Sequence, residues 1–210
     1  MLFKCIYEND NYIVVHKPAG LATQTARMGE KDLISEAKNY LVSKGKRPYV
    51  AVINRLDQPV EGLVLLAINE KTASELSRML TEDKIKKYYK ARVYGHLKEQ
   101  TGILEDYIVK DGKTNTSGIS NKNDGKAKRA VLEYEVESSD ENTDYLNIHL
   151  ITGRHHQIRV QFSHAGYPLV GDTKYGTEES ISFGKSAGIA AVELKAYKLV
   201  LTPYNKTFSI

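Results

Sequence analysis

Strand-like runs recur along this chain at hairpin-sized intervals, and that recurrence limits its fold more than any other feature. From residue 85 onward the runs IKKYYKARVYG, AVLEYEVES, DYLNIHLIT and VELKAYKLVLTP combine β-forming residues with short gaps, and KTFSI closes the chain. Earlier, YIVVHKPAG (residues 12–20) ends at a Pro18/Gly20 turn signal, and VAVINRL and GLVLLAI flank DQPVE. Three stretches have helical spacing instead. Residues 31–44 place Leu33, Ala37, Tyr40 and Leu41 on one side before the stop at Gly45. Residues 71–80 align Ala73, Leu76 and Leu80. HHQIRVQFSHAG puts Ile158, Phe162 and Ala165 inward, with His155 and Arg159 together on another side. No regular strand–helix–strand alternation appears. The expected fold is α+β: a mixed, largely antiparallel sheet in two fused halves, flanked by a few helices. With no internal repeat and no long linker, residues 1–210 are expected to form a single catalytic-size domain.

Composition excludes several classes. The 210 residues are 41% hydrophobic and 27% charged, an ordinary balance for a chain with a substantial core. The single cysteine, Cys5, cannot form an internal disulfide. The N-terminus has no basic segment leading into an apolar run, and no stretch of about 18 apolar residues occurs. No membrane association is expected, and the cytoplasm is the default location. The net charge of +4 is compatible with a polyanionic partner without requiring one.

Residues 110–130, KDGKTNTSGISNKNDGKAKRA, are rich in Gly, Ser, Asn and Lys, with Ile119 their only large apolar residue. Such a segment buries little, so a mobile loop with a basic end at Lys126, Lys128 and Arg129 is expected. A solvated hairpin connection is the plainer reading.

Common catalytic signatures are missing. GKS at 184–186 lacks the glycine that a phosphate-binding loop needs five residues before its lysine, since Ser180 stands there. His149, His155, His156 and His164 show no metal-site spacing, so no metal is expected. What remains is a carboxylate, Asp57, in VINRLDQP. Strand geometry would put Arg55 and Asp57 on one face, with Pro59 ending the strand beyond them. Starting a turn is the ordinary role of such an Asp. A reactive carboxylate needs more: a cation to keep it ionised, and partial burial. Arg55, Arg154 and Arg159 could supply the cation. TGRHHQIR (152–159) gathers donors at a helix N-terminus, where anions such as phosphate bind, though a solvated helix face would look the same. Tyr89 in KYYKA could stack on a base or shuttle a proton.

In this order, these segments resemble the RluA-type pseudouridine synthase family. NDNYIVVHKPAGLATQ resembles its opening strand and Lys-Pro-x-Gly turn. INRLDQPVEGLVLLA resembles its His-Arg-Leu-Asp segment. KKYYKARVYG is similar to its Lys-x-Tyr-x-Ala-x-Val-x-Gly strand. ITGRHHQIRVQFSHAGYPLVGDTKYG resembles its Thr-Gly-Arg block and following Gly-Asp-x-x-Tyr-Gly loop, and LKAYKLVLTP resembles its terminal strand. Three places depart from the pattern. Asn54 replaces the usual His, Gln58-Pro-Val-Glu61 replaces Arg-Asp/Glu-Thr-Ser before Gly62, and Lys195 stands where His is usual. The chain is expected to begin directly at the catalytic region, with no appended N-terminal RNA-binding module.

The resemblance implies the pseudouridine synthase catalytic fold and conversion of specific uridines to pseudouridine in structured RNA, ribosomal or transfer. Neither a cofactor nor an obligatory protein partner is implied. It makes Asp57, Tyr89 and Arg154 the catalytic residues, with the arginine beside the aspartate. Arg55 would fill the place of a flipped base, and His156, Gln157, Arg159, Lys126 and Lys128 would contact the RNA. A catalytically inert RNA-binding relative and an unrelated hydrolase using Asp57 as base are the two rival readings.

Overall fold

The strand periodicity becomes eleven strands, β1 to β11 in chain order, interrupted by four α-helices among the described residues; the computed structural model describes residues 2–25 and 29–210. The chain divides into two compact units, Met1–Lys86 with Lys195–Ile210, and Lys87–Leu194.

The first unit carries β1 (Lys4–Glu8), β2 (Tyr12–Lys17), β3 (Ala51–Val52), β4 (Glu61–Ala67), β10 (Leu194–Leu201) and β11 (Lys206–Ser209). Strands β1, β2 and β4 pair antiparallel in that order, and β3 adds antiparallel to β4. Strand β10 joins β4 in parallel and carries β11 antiparallel. Strand β4 is apolar almost throughout because both its faces are covered. Gly62 sits at φ +138°, and a Cβ there would run into the Ala196 backbone across the parallel pair, so only glycine fits. Helix α1 (Leu33–Ser43) starts with a capping box in which Asp32 and Ser35 exchange bonds of 2.7 and 3.1 Å. Helix α2 (Glu70–Thr81) is capped by Asn69 and adds Leu76 and Met79 to a core with Tyr12, Leu63, Leu65 and Leu199.

The second unit holds β5 (Ile85–Tyr94, which starts as the chain leaves the first unit), β6 (Thr101–Asp111), β7 (Thr116–Ser120), β8 (Lys128–Ser139) and β9 (Thr143–Leu150). Their order is β5-β9-β8-β6-β7, all antiparallel. Helix α3 (Gln157–His164) follows β9, and α4 (Glu178–Ser186) lies farther along.

Three expectations need correction, and one helix went unforeseen. Residues 53–57 are not a strand: β3 ends at Val52, and the Asn54 side chain takes over its pairing, donating to the Leu63 carbonyl (3.1 Å) and accepting from the Leu65 amide (2.8 Å). Residues 110–130 are not one loop. Strand β7 folds back on β6 from a tight turn, and β8 has begun by Lys128, leaving only 121–127 as a connection. The backbone pairs there despite poor apolar content, because Ile119 packs beside Ile108, Ala130 and Val160. Ala165 is exposed and not inward, since α3 ends at His164. Finally, 178–186 forms α4, capped by Thr177, which the Ser and Gly content of that stretch concealed.

Candidate active site

Asp57 lies in the first unit at the start of a turn, where its carbonyl accepts from Val60 at 3.1 Å. Its neighbours on either side are fixed. The Leu56 carbonyl accepts from the Thr23 hydroxyl (2.7 Å), and the Gln58 carbonyl accepts from the Gly20 amide (2.8 Å) and from Lys17 Nζ (3.2 Å). Asp57 itself is half-buried and Arg55 is exposed.

Lys17 is the site residue that sequence reasoning missed. It is fully buried, and its ammonium also donates to the Leu21 (2.6 Å) and Pro18 (3.1 Å) carbonyls. Burial pushes it down to about 8, against the opposing pull of the Asp57 and Glu61 charges. A lysine closing a run as apolar as YIVVHK was the available signal. Strand β2 is covered on both faces, so alternation could not say which way Lys17 pointed.

In the second unit Tyr89 is buried on β5, opposite Ile148 of β9. Lys87, on the same face, is buried too. The Thr-Gly-Arg segment leaves β9 and turns into α3. Arg154 is half-buried; its Nε donates to the Arg129 carbonyl (2.9 Å), and its amide donates to Gln157 Oε1 (2.9 Å).

His156 precedes α3 in the left-handed region, at φ 55°. A non-glycine residue there costs on the order of 1–3 kcal/mol, so its surroundings must fix it. Its ring stacks on His155 with centroids 3.7 Å apart, and its Nδ1 meets the Tyr175 hydroxyl at 2.7 Å. His155 in turn meets the Ser117 hydroxyl (2.9 Å), and the Ser117 amide donates to Tyr175 (2.8 Å), so β7 is laced to this block.

Gln157 and Arg159 are placed differently from surface contacts. Gln157 is 3% exposed and Arg159 5%. The Arg159 Nε and Nη2 grip Asp172 of the Gly-Asp-Thr-Lys-Tyr-Gly loop at 2.6 and 2.8 Å. Burial pushes the Asp172 carboxyl up, but Arg159 and the amides of Lys174 and Tyr175 outweigh it and hold the group below its ordinary range. Lys126 and Lys128 are exposed.

Residues 11–164 match the family model for RNA pseudouridylate synthase. The chain belongs to the RNA pseudouridylate synthase family. Its relatives are of the RluA type. It is 32% identical over 178 residues to the dual-specificity RNA pseudouridine synthase RluA of Escherichia coli K12, covering 83% of this chain and 78% of that one. With ribosomal large subunit pseudouridine synthase C of Rickettsia bellii it shares 36% over 183 residues, 86% of this chain but only 59% of the relative. The fold is that of human RNA pseudouridylate synthase domain containing 4, with a TM-score of 0.79 at 21% identity over 99% of this chain and 87% of the other. No helix among the described residues is long and apolar enough to cross a membrane.

Within this family the match spans Asp57, Tyr89 and Arg154 alike. The Asp172 partner of Arg159 lies beyond the matched residues. The Gly-Asp-x-x-Tyr-Gly resemblance marked that loop without indicating that its aspartate is the arginine's counter-ion.

Proposed function

We propose that this enzyme converts specific uridines of structured ribosomal or transfer RNA to pseudouridine, with Asp57, Tyr89 and Arg154 as its catalytic residues and the two units acting as one catalytic domain in the cytoplasm. The observation that carries the reading is the setting of Asp57. Its half-buried carboxylate occupies a turn whose flanking carbonyls are both fixed from the 17–23 segment, as a group that must meet a substrate atom requires.

The reaction breaks the bond from ribose C1′ to uracil N1 and forms one from C1′ to C5. C5 then loses its proton and N1 gains one, so atoms and oxidation state balance without a cosubstrate. Asp57 takes part in the cleavage, either by adding to ribose or base or by assisting formation of a glycal. Arg154 stands where the RluA-type pattern has the arginine that supports the catalytic aspartate. Tyr89 stacks on the detached base and aids proton removal. The target must leave its helix first, at a cost of a few kcal/mol, and the exposed, planar Arg55 guanidinium takes the vacated place. Lys126 and Lys128 contact the RNA backbone, while the expected contact His156 is buried, held by His155 and Tyr175. The buried Gln157 and Arg159 serve by shaping the surface that does so.

The test is incubation of the purified protein with ribosomal and transfer RNA, followed by carbodiimide labelling. New labelled positions at unchanged RNA mass support the reading. Binding without label would mean an inert relative, and strand or base loss a hydrolase.

A further inference from the structure

A chain of buried amides runs away from the Arg154 loop. Gln157 Oε1 accepts from the Arg154 amide (2.9 Å) and from the Thr152 hydroxyl (2.8 Å). Its Nε2 donates to the Val131 carbonyl (3.1 Å) and to Gln161 Oε1 (2.9 Å). Gln161, fully buried one helical turn on, donates through its own Nε2 to Asp106 Oδ2 (2.7 Å) and to the Ala130 carbonyl (3.3 Å). Asp106 belongs to β6, the strand that carries the β7 hairpin.

The polarity of this chain is dictated from its far end. An ionised carboxylate and a carbonyl only accept, so Gln161 must turn its NH2 toward Asp106 and Ala130. Its oxygen then faces Gln157, which must answer with NH2 and so present its own oxygen to the Arg154 amide. Reversing Gln157 would set NH2 against the Arg154 N–H, and reversing Gln161 would set its oxygen against Asp106 and Ala130 and its NH2 against that of Gln157; each buried group left unpaired costs about 1–3 kcal/mol. The segment bearing Arg154 is thus held by a directional relay whose last member lies on another strand.

We propose that Gln157, Gln161 and Asp106 are positioning residues for the isomerisation: the relay fixes the backbone from which the Arg154 guanidinium acts. This rests on the reading of Arg154 as a catalytic residue. The relay touches neither substrate nor reacting atoms, and all of it lies within the second unit.

A charge swap tests it. Gln161→Glu sets two carboxylates against each other and breaks the second link. Adding Asp106→Asn restores the link with donor and acceptor exchanged, and position 161 still accepts from Gln157; only the longer, 3.3 Å bond to the Ala130 carbonyl is not replaced. Single-turnover rate at saturating RNA, RNA affinity and thermal midpoint are measured for wild type, Gln161→Glu, the double variant, Gln157→Leu and Arg154→Ala. A misplacement near 1 Å costs on the order of 10²-fold in rate. The expected result is that Gln161→Glu and Gln157→Leu, scored on folded protein, lose roughly tenfold or more in rate with nearly unchanged affinity, while the double variant returns close to the wild-type rate. A double variant no faster than Gln161→Glu, or a Gln157→Leu protein with wild-type rate, overturns the relay. If Gln157→Leu does not fold, the swap pair decides. A fast Arg154→Ala enzyme would instead remove the reading beneath the relay, and the relay with it. A slow Arg154→Ala beside wild-type-like relay variants defeats the relay alone.

Discussion

The two units hold their candidate catalytic loops by opposite means. The turn bearing Asp57 is clamped by one buried cation, Lys17, through three backbone carbonyls. The segment bearing Arg154 is clamped by neutral amides, Gln157 and Gln161, ending on the Asp106 carboxylate. A single ammonium gathers several carbonyls at once and lends its charge to a nearby carboxylate, but it titrates. Amides do not titrate, yet they work only if every member keeps its orientation. Between about pH 8 and 10.5, one loop has a support that changes charge and the other a support that does not.

Short of replacing Asp57 itself, the largest effect is expected on the Arg154 side. Arg154→Ala should lower the single-turnover rate by about 10²–10³-fold, reduce RNA affinity far less, and move the acid limb of the pH–rate profile upward. Arg154→Lys should recover only part of the rate, because lysine lacks the planar fork. A weakened affinity with an unchanged pH profile would reduce Arg154 to a phosphate contact.

A smaller effect distinguishes the Asp57 side. Lys17→Met would take the ammonium from the Pro18 and Leu21 carbonyls, at about 1–3 kcal/mol for each left unsatisfied, while the Gln58 carbonyl keeps the Gly20 amide. The folded protein holds Lys17 near 8, below its ordinary 10.5. Between those values the unfolded chain binds more protons, so the contribution of this group to stability rises with pH. The margin of wild type over Lys17→Met in urea unfolding should therefore widen from about pH 8 to pH 10.5. The corresponding margin over Gln161→Leu should stay flat. Parallel curves for the two variants would erase the contrast between the clamps.

Strand existence was legible in the sequence because one covered face imposes a period of two, and the family blocks around Asp57, Tyr89 and Arg154 were legible as blocks, all within the matched residues. The supports were not. Gln157 and Arg159 share the polar composition of a surface helix turn, and only the packing of β8 and the 172–175 segment against α3 turns them inward. The β6–β7 hairpin was read as loose because apolar content was the criterion. Its order comes instead from backbone pairing, from Ser117 bound to His155 and Tyr175, and from Lys174 reaching the Asn115 carbonyl (3.1 Å).

The smallest effect belongs to the connection after that hairpin. Charge reversal at the exposed Lys126 and Lys128 should weaken binding across RNA sequences and lower the salt slope by about one per lost phosphate contact. The rate at saturating RNA should barely move. An equal salt slope for variant and wild type would leave these lysines as solvated surface.

The chemistry proposed here stands or falls with the carboxylate of Asp57. Asp57→Asn keeps the side chain's size and leaves the Lys17 clamp its carbonyl partners, since those belong to Pro18, Leu21 and Gln58. Pseudouridine formation under single-turnover conditions, measured beside RNA affinity on the same preparation, isolates the charge. A folded Asp57→Asn protein that binds RNA like wild type and forms no pseudouridine is the predicted result; turnover near the wild-type rate would contradict it.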